Sequence, residues 1–232
     1  MQQGGDSLVG DAISAITQHI RANDLMPGDQ LPSEAALSRE LNVSRSVVRE
    51  AFRSLAAVQI IELSNGRRAT VAQIDHGAMG LMIEHGLHTD QITVQQVYDV
   101  RRTIETRIVS LAALRRTEAE ADEIVALAAA MRAAIGDEAA LMTHDIAFHG
   151  ALARASRNPV FALLVGAFQG ITRATWPIGW RSRTTSVGRE VMVATHEGIA
   201  QAVQAGDPAR AAAMMAVHFD ESVRALLAAG MA

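Results

Sequence analysis

In the stretch LMTHDIAFHGALARAS, residues 141–156, an aspartate and a histidine stand four residues apart. Read as a helix, the stretch has an apolar stripe through Leu141, Phe148 and Leu152, and Asp145 and His149 fall on that same stripe. A carboxylate buried without a partner is strongly disfavoured, so Asp145 demands one. Side chains one helical turn apart can grip a single cation. Two further histidines point the same way. His196 lies on the stripe Met192, His196, Ile199, Val203, and His218 on the stripe Ala211, Met214, His218, Ala225. Each is eleven residues from Asp207, one before it and one after, so an antiparallel helix pair turning there sets the two imidazoles at one height. Three imidazoles and a carboxylate drawn from apolar faces suit zinc, nickel, manganese or iron(II). Taken singly, the same residues also fit an Asp–His hydrogen-bonded core pair and two unrelated core histidines.

Arg101 shares a stripe with Val97, Ile104, Ile108 and Leu111, whereas Arg102 does not. A guanidinium facing a core needs an anion. That anion is either the carboxylate of a small ligand, clamped bidentately, or an internal partner, Glu105 or Asp145.

The elements that must position these groups are helical. Of 232 residues, 49 % are hydrophobic and only 3 % aromatic, a balance that favours Ala- and Leu-rich helices over sheets. Helical patterns run over roughly 93–116, 118–135, 137–155, 159–175, 187–205 and 208–229, with a loop around WPIGWRSRTTS that carries Trp176 and Trp180. Pro208 suits the first turn of the last helix, and Asn158 before Pro159 suits a helix cap. Cysteine is absent, which excludes disulfides and thiolate ligands. No apolar run is long enough for a membrane span and the N-terminus lacks a secretory pattern, so a cytoplasmic location without membrane partners is expected.

Before residue 73 the pattern is different. A helix is expected over Asp6–Asn23, and Pro27-Gly28 marks a loop. Ser33 and Ser44 can cap two short helices, the second over Arg45–Ala57, separated by the tight turn NVS. Their shared core would be Leu37, Leu41, Val43, Val48, Ala51, Phe52 and Leu55. The runs IIEL and ATVA flank SNGRR, whose Asn65-Gly66 signals a hairpin turn. Such a helix-turn-helix with a following wing suits DNA. Arg45, Arg49 and Arg53 share one arc of the second helix, and Arg67 and Arg68 stand at the hairpin tip, within reach of backbone or minor groove. The net charge of the chain is -4, yet between Arg39 and Arg68 six arginines face three glutamates. Every one of the 21 basic residues is arginine, the side chain suited to guanine O6 and N7.

The segment PSEAALSRELNVSRSVVREAFRSLAAVQIIE…NGRRATVA resembles the winged-helix domain of the GntR family of bacterial transcription regulators over nearly all of residues 8–73. Ser44, Arg45, Arg49 and Gly66 match positions that touch DNA in that family. The position after Glu34, commonly a DNA-contacting Arg there, is Ala35 here; the contact is then lost or supplied by Arg39. The segment VYDVRRTIETRIVSLAA…HDIAFHGALARASRNPVF…HEGIAQAVQAGDPARAAAMMAVHF resembles the FCD ligand-binding domain of FadR-type members over about 94–226. Many of those hold a divalent metal with one Asp and three His, and Asp145, His149, His196 and His218 match them. In such relatives the metal holds a small carboxylate effector.

The chain is therefore expected to be mainly α, with a winged helix-turn-helix over 1–73, a connecting helix over 74–92 and an antiparallel bundle of about six helices over 93–232. The expected function is a metabolite-responsive repressor, not an enzyme, that binds a palindromic double-stranded DNA operator as a homodimer. Its DNA contacts would be Ser44, Arg45, Arg49, Arg39, Gly66 and Arg67. The divalent ion, zinc foremost, would sit on the Asp/His set, and Arg101 would bind the effector. A metal-dependent enzyme acting on a small carboxylate is the rival, weakened by the lack of a further general acid or base. A DNA-binding architectural protein whose second half only dimerises is the third reading.

Overall fold

A computed structural model describes residues 3–231; residues 1–2 and 232, the outermost positions of the two expected domains, lie outside it. The chain divides into two compact units, Met1–Ala78 and Met79–Ala232.

The first unit is built around α1 (Gln3–Ala22), α2 (Glu34–Glu40) and α3 (Arg45–Ala57). The first helix starts earlier than the expected Asp6 and stops one residue short of Asn23. Ser33 and Ser44 cap the two short helices, accepting from Ala36 N and Val47 N, so both expected starts hold. Asn42, between α2 and α3, adopts a positive φ of 52°, which its short polar side chain tolerates. Ile16, Leu31, Leu37, Val48, Phe52 and Leu55 form the buried core. The hairpin ladder is shorter than the two β-branched runs: β1 (Ile61–Glu62) pairs antiparallel with β2 (Thr70–Val71) in the register Ile61↔Val71. A turn from Ser64 to Arg67 is closed by Arg67 N donating to Ser64 O at 3.2 Å. Gly66 takes φ +71° at its third position, a conformation open to glycine at no steric cost. Gln30 adds an antiparallel bridge to Thr70, which anchors the wing to the loop before α2.

The second unit holds α4 (Gly77–His88) for most of its length, then α5 (Val94–Arg115), α6 (Glu118–Ala133), α7 (Glu138–Ala155), α8 (Pro159–Ala167), α9 (Gln169–Ser182), α10 (Ser186–Gln204) and α11 (Pro208–Ala228). Its starts are chemically marked. Thr93 and Thr117 form capping boxes with Gln96 and Glu120, and Asp137, Asn158, Thr185 and Asp207 cap with their side chains. The core centres on Phe148, Phe219, Leu141, Met131 and Ile124. None of the described helices is long and apolar enough to cross a membrane.

Two expectations fail here. The helix expected over 159–175 is broken at Phe168, so seven helices rather than six span 93–232. The expected loop around WPIGWRSRTTS is helical through Ser182, which places Trp176 and Trp180 on α9. Pro177 has no amide hydrogen for the carbonyl of Arg173, and it usually ends a helix. Here burial of Ile171, Thr172, Thr175, Gly179 and Trp180 holds the segment helical in spite of it.

Candidate metal centre and nucleic-acid face

On α7, Asp145 and His149 lie on the buried face, each 3 % exposed. From α10, His196 is fully buried, and from α11, His218 is 7 % exposed. The Asp207 cap turns α10 into α11, and the equal spacing brings the two rings to centroids 4.5 Å apart. Ligand nitrogens of His149, His196 and His218 all lie within 4.8 Å of one another. Asp145 Oδ1 stands 2.9 Å from His196 Nε2. All four residues thus meet at one point of the bundle.

The outer nitrogens are committed elsewhere. His196 Nδ1 lies 2.8 Å from the carbonyl oxygen of Met192, which can only accept, so Nδ1 carries a proton and Nε2 is the nitrogen left facing Asp145. His149 Nδ1 contacts the carboxylate of Glu105. The Nε2 of His149 is buried and makes no hydrogen bond, and the buried Nε2 of His196 meets only the carboxylate of Asp145. Orphaned buried nitrogens are rare, and one converging with two further imidazoles and a carboxylate fits a divalent cation. Contacts from the far ring nitrogens to a carboxylate and a carbonyl are the usual supports of metal-binding histidines.

The electrostatics agree. Burial works against ionisation of Asp145, but His196, by hydrogen bond and charge, holds its carboxyl far below the usual range. Burial also opposes protonation of His149, and the Glu105 carboxylate outweighs it, raising the imidazole above its ordinary value. Burial, followed by the charges of His196 and His149, holds His218 well below it, as a neutral donor.

Arg101, 4 % exposed, takes the internal alternative. Its Nε donates to Glu105 Oε1 at 2.8 Å and its Nη1 to Thr172 Oγ1 at 2.9 Å. Glu105 therefore bridges Arg101 and His149. Its own burial penalty is exceeded by Arg101 and His149, and its pKa falls from 4.5 to about 2. Spacing shows Glu105 only as a possible partner of Arg101; its link to His149 crosses between two helices and leaves no periodic trace. Beside the cluster lies a cavity of about 40 Å³, lined by Arg101, Asp145, His149, His218, Trp176 and Arg183 among others. Trp176 stacks on Trp180, with ring centroids 5.4 Å apart.

In the first unit, Arg49 forks onto Glu34, with Nη2–Oε2 at 3.0 Å, and its side chain remains 57 % exposed. Arg49, Arg53, Gly66 and Arg67 line one concavity of about 450 Å³ between α3 and the wing. Ser44, Arg45 and Arg39 are exposed outside that lining, the first two at the N-terminal end of α3.

Known proteins resemble both units. Residues 8–71 match the model for bacterial regulatory proteins of the gntR family, and residues 96–221 match that for the FCD domain. The HTH-type transcriptional regulator LutR of Bacillus subtilis is 34 % identical over 203 residues, covering 86 % of this chain and 92 % of the relative. The galactonate operon transcriptional repressor of Escherichia coli is 30 % identical over 197 residues, covering 82 % and 84 %. Among solved structures, Streptococcus agalactiae GntR superposes with a TM-score of 0.68 at 23 % identity, covering 93 % of this chain and 98 % of the other, a likeness of fold.

Proposed function

Since this chain belongs to the gntR family of bacterial regulatory proteins and carries an FCD domain, making it a transcriptional regulator and not an enzyme, we propose that it is a repressor whose DNA affinity answers to a small carboxylate held at a divalent metal ion. The observation that carries this reading is the convergence of three buried imidazoles, His149, His196 and His218, with Asp145 2.9 Å from His196 Nε2 and the buried Nε2 of His149 without a partner.

In this reading the division of labour follows 1–73 for DNA, 74–92 as connection and 93–232 for sensing. Asp145, His149, His196 and His218 hold the ion, with zinc fitting the donor set best. The bound ion would supply a Lewis-acidic anchor for a carboxylate oxygen. Glu105 fixes the ring of His149, the carbonyl of Met192 fixes that of His196, and the core excludes bulk water from both. Arg101 lines the same cavity and reaches the effector with its Nη2, its Nε staying on Glu105 and its Nη1 on Thr172. A cavity of about 40 Å³ has room for a few water molecules, each needing about 10–15 Å³ of it, and not for a larger acid with the walls as they stand. An effector must therefore displace side chains or a helix to enter, and that displacement gives it different affinities for two conformations of the sensor.

At the other end Ser44 and Arg45, at the start of α3, and Arg49, on its exposed face, read the major groove. Arg39 stands in for the arginine replaced by Ala35, and Gly66 and Arg67 bring the wing to the backbone. A homodimer places two such heads on a palindromic operator. Repression as the sign is supported by the relative named as a repressor of a galactonate operon.

Metal analysis of the full chain purified without chelator, paired with operator binding, tests the proposal. Near one ion per chain is expected. His196→Ala should retain operator binding in the absence of effector but lose its response to any effective carboxylate. A chain that binds no divalent ion, or a His196→Ala variant that responds as wild type does, would sink it.

A further inference from the structure

Two arginines line the cavity beside the histidine cluster, Arg101 buried and Arg183 partly buried, and they differ in their partners. Arg101 is already matched: Glu105 lies 2.8 Å from its Nε, and both side chains are almost wholly buried. Arg183, at the C-terminal cap of α9, is not. Its Nη1 donates to the carbonyl of Gly179 at 2.6 Å, and its remaining donors meet no carboxylate within ion-pair distance among the described residues. Glu221 and Asp145 act on it only through space. Burial pulls its pKa below the ordinary arginine value, the mark of a cation short of counter-charge.

The charges around the cavity then fall into place. Arg101 and Glu105 cancel. Asp145 offsets half of a divalent ion. What remains is one positive charge from the ion and one from Arg183, facing the same small space. A surplus of charge is costly where burial thins the solvent, even with Glu221 acting on Arg183 through space, and a single carboxylate relieves only half of it. We propose that Arg183 is the specificity-determining residue of the sensor and that the effector is an acid with two anionic groups, one for the metal side of the cavity and one for Arg183. This rests on the function proposed above and names its ligand class. Arg183 and the histidine cluster line the same cavity, so the acid is short, and the planar guanidinium receives its second carboxylate bidentately.

Both tryptophans of the chain stand at this site, Trp176 on the cavity wall and Trp180 stacked against it, so intrinsic fluorescence reports binding here directly. The full-length, zinc-loaded protein is titrated with two pairs of equal chain length, propionate against malonate and butyrate against succinate, following fluorescence and melting temperature. At least one dicarboxylate should half-saturate at a concentration about tenfold or more below its monocarboxylate partner. Arg183→Met should abolish that preference while keeping the zinc content and melting temperature of the unliganded wild type. If Arg183→Met does not fold, Arg183→Lys serves: with its point charge in place of the fork, it should reduce the preference several-fold. Equal affinity within each pair, or a dicarboxylate preference untouched by substitution at 183, overturns the inference and leaves the proposed function standing. Failure of every acid to bind the zinc-loaded protein overturns both.

Discussion

Each half of this molecule contains an Arg–Glu pair, forked between α2 and α3 in the first and made through Nε alone within α5 in the second. Arg49 meets Glu34 at 3.0 Å with 57 % and 32 % of the two side chains exposed; Arg101 meets Glu105 at 2.8 Å with 5 % and 2 % exposed. The chemistry is identical and the solvent is not. In the head, water and salt compete for both partners, so Arg49 is held loosely in an orientation and free to exchange its carboxylate for a base edge or a phosphate. In the sensor, neither partner can leave without stranding the other in a low dielectric. The same pair is a replaceable placeholder at one end and a structural strut at the other. Reading DNA needs charges that can be handed over; holding a cation needs charges that stay.

The contrast can be broken most forcefully at Glu105. Glu105→Ala leaves Arg101 buried and unmatched and removes the support of His149. It should cost about 3–5 kcal/mol of folding stability, measured by chemical denaturation with metal chelated. Next in size is the metal itself: His196→Ala should reduce bound ion from near one per chain to near zero, read by elemental analysis. Arg49→Ala should weaken operator binding by about 5- to 150-fold and flatten base preference, measured by fluorescence anisotropy, with thermal stability unchanged. Acid sharpens the difference further. Ligating imidazoles must be unprotonated, and His149 holds its proton above the ordinary histidine value of ~6.5 while His218 lies well below it, so metal affinity should begin to fall on the alkaline side of that value, as a competition titration would show. In the metal-free protein, the folded-state pKa of Glu105 is depressed from 4.5 to about 2. Its contribution is therefore complete above about pH 4.5 and disappears as pH falls through 2. Smallest of all, Glu34→Gln should leave the melting temperature where it is; a loss as large as that at Glu105 would mean the two pairs are not different in kind.

How much of this was legible in the residues depends on whether the determinants were local. Ser33 and Ser44 as caps, Asn65-Gly66 as a turn and the Asp207 cap between α10 and α11 all act within a few positions, and all appear where their types predict. The convergence of His196 and His218 was readable because equal spacing about a turn is itself geometry. Three features were hidden. Pro177 and Gly179 look like breakers, and only burial by neighbouring helices keeps α9 intact. Glu105 reaches His149 across from α5 to α7, and Arg183 arrives at the cavity from the end of a helix expected to be a loop. Each depends on which elements become neighbours, and no window of sequence contains that.

Pro177 leaves one rung missing from the backbone ladder of α9, in a wall that also carries Trp176 and Arg183. A helix hinges most readily where a rung is absent, because bending there ruptures one bond fewer. The proposed sensor thus has a soft joint beside its cavity: a ligand that pushed this wall outward would work against the weakest stretch of α9, and the motion it started would be steered by the position of a single imino acid.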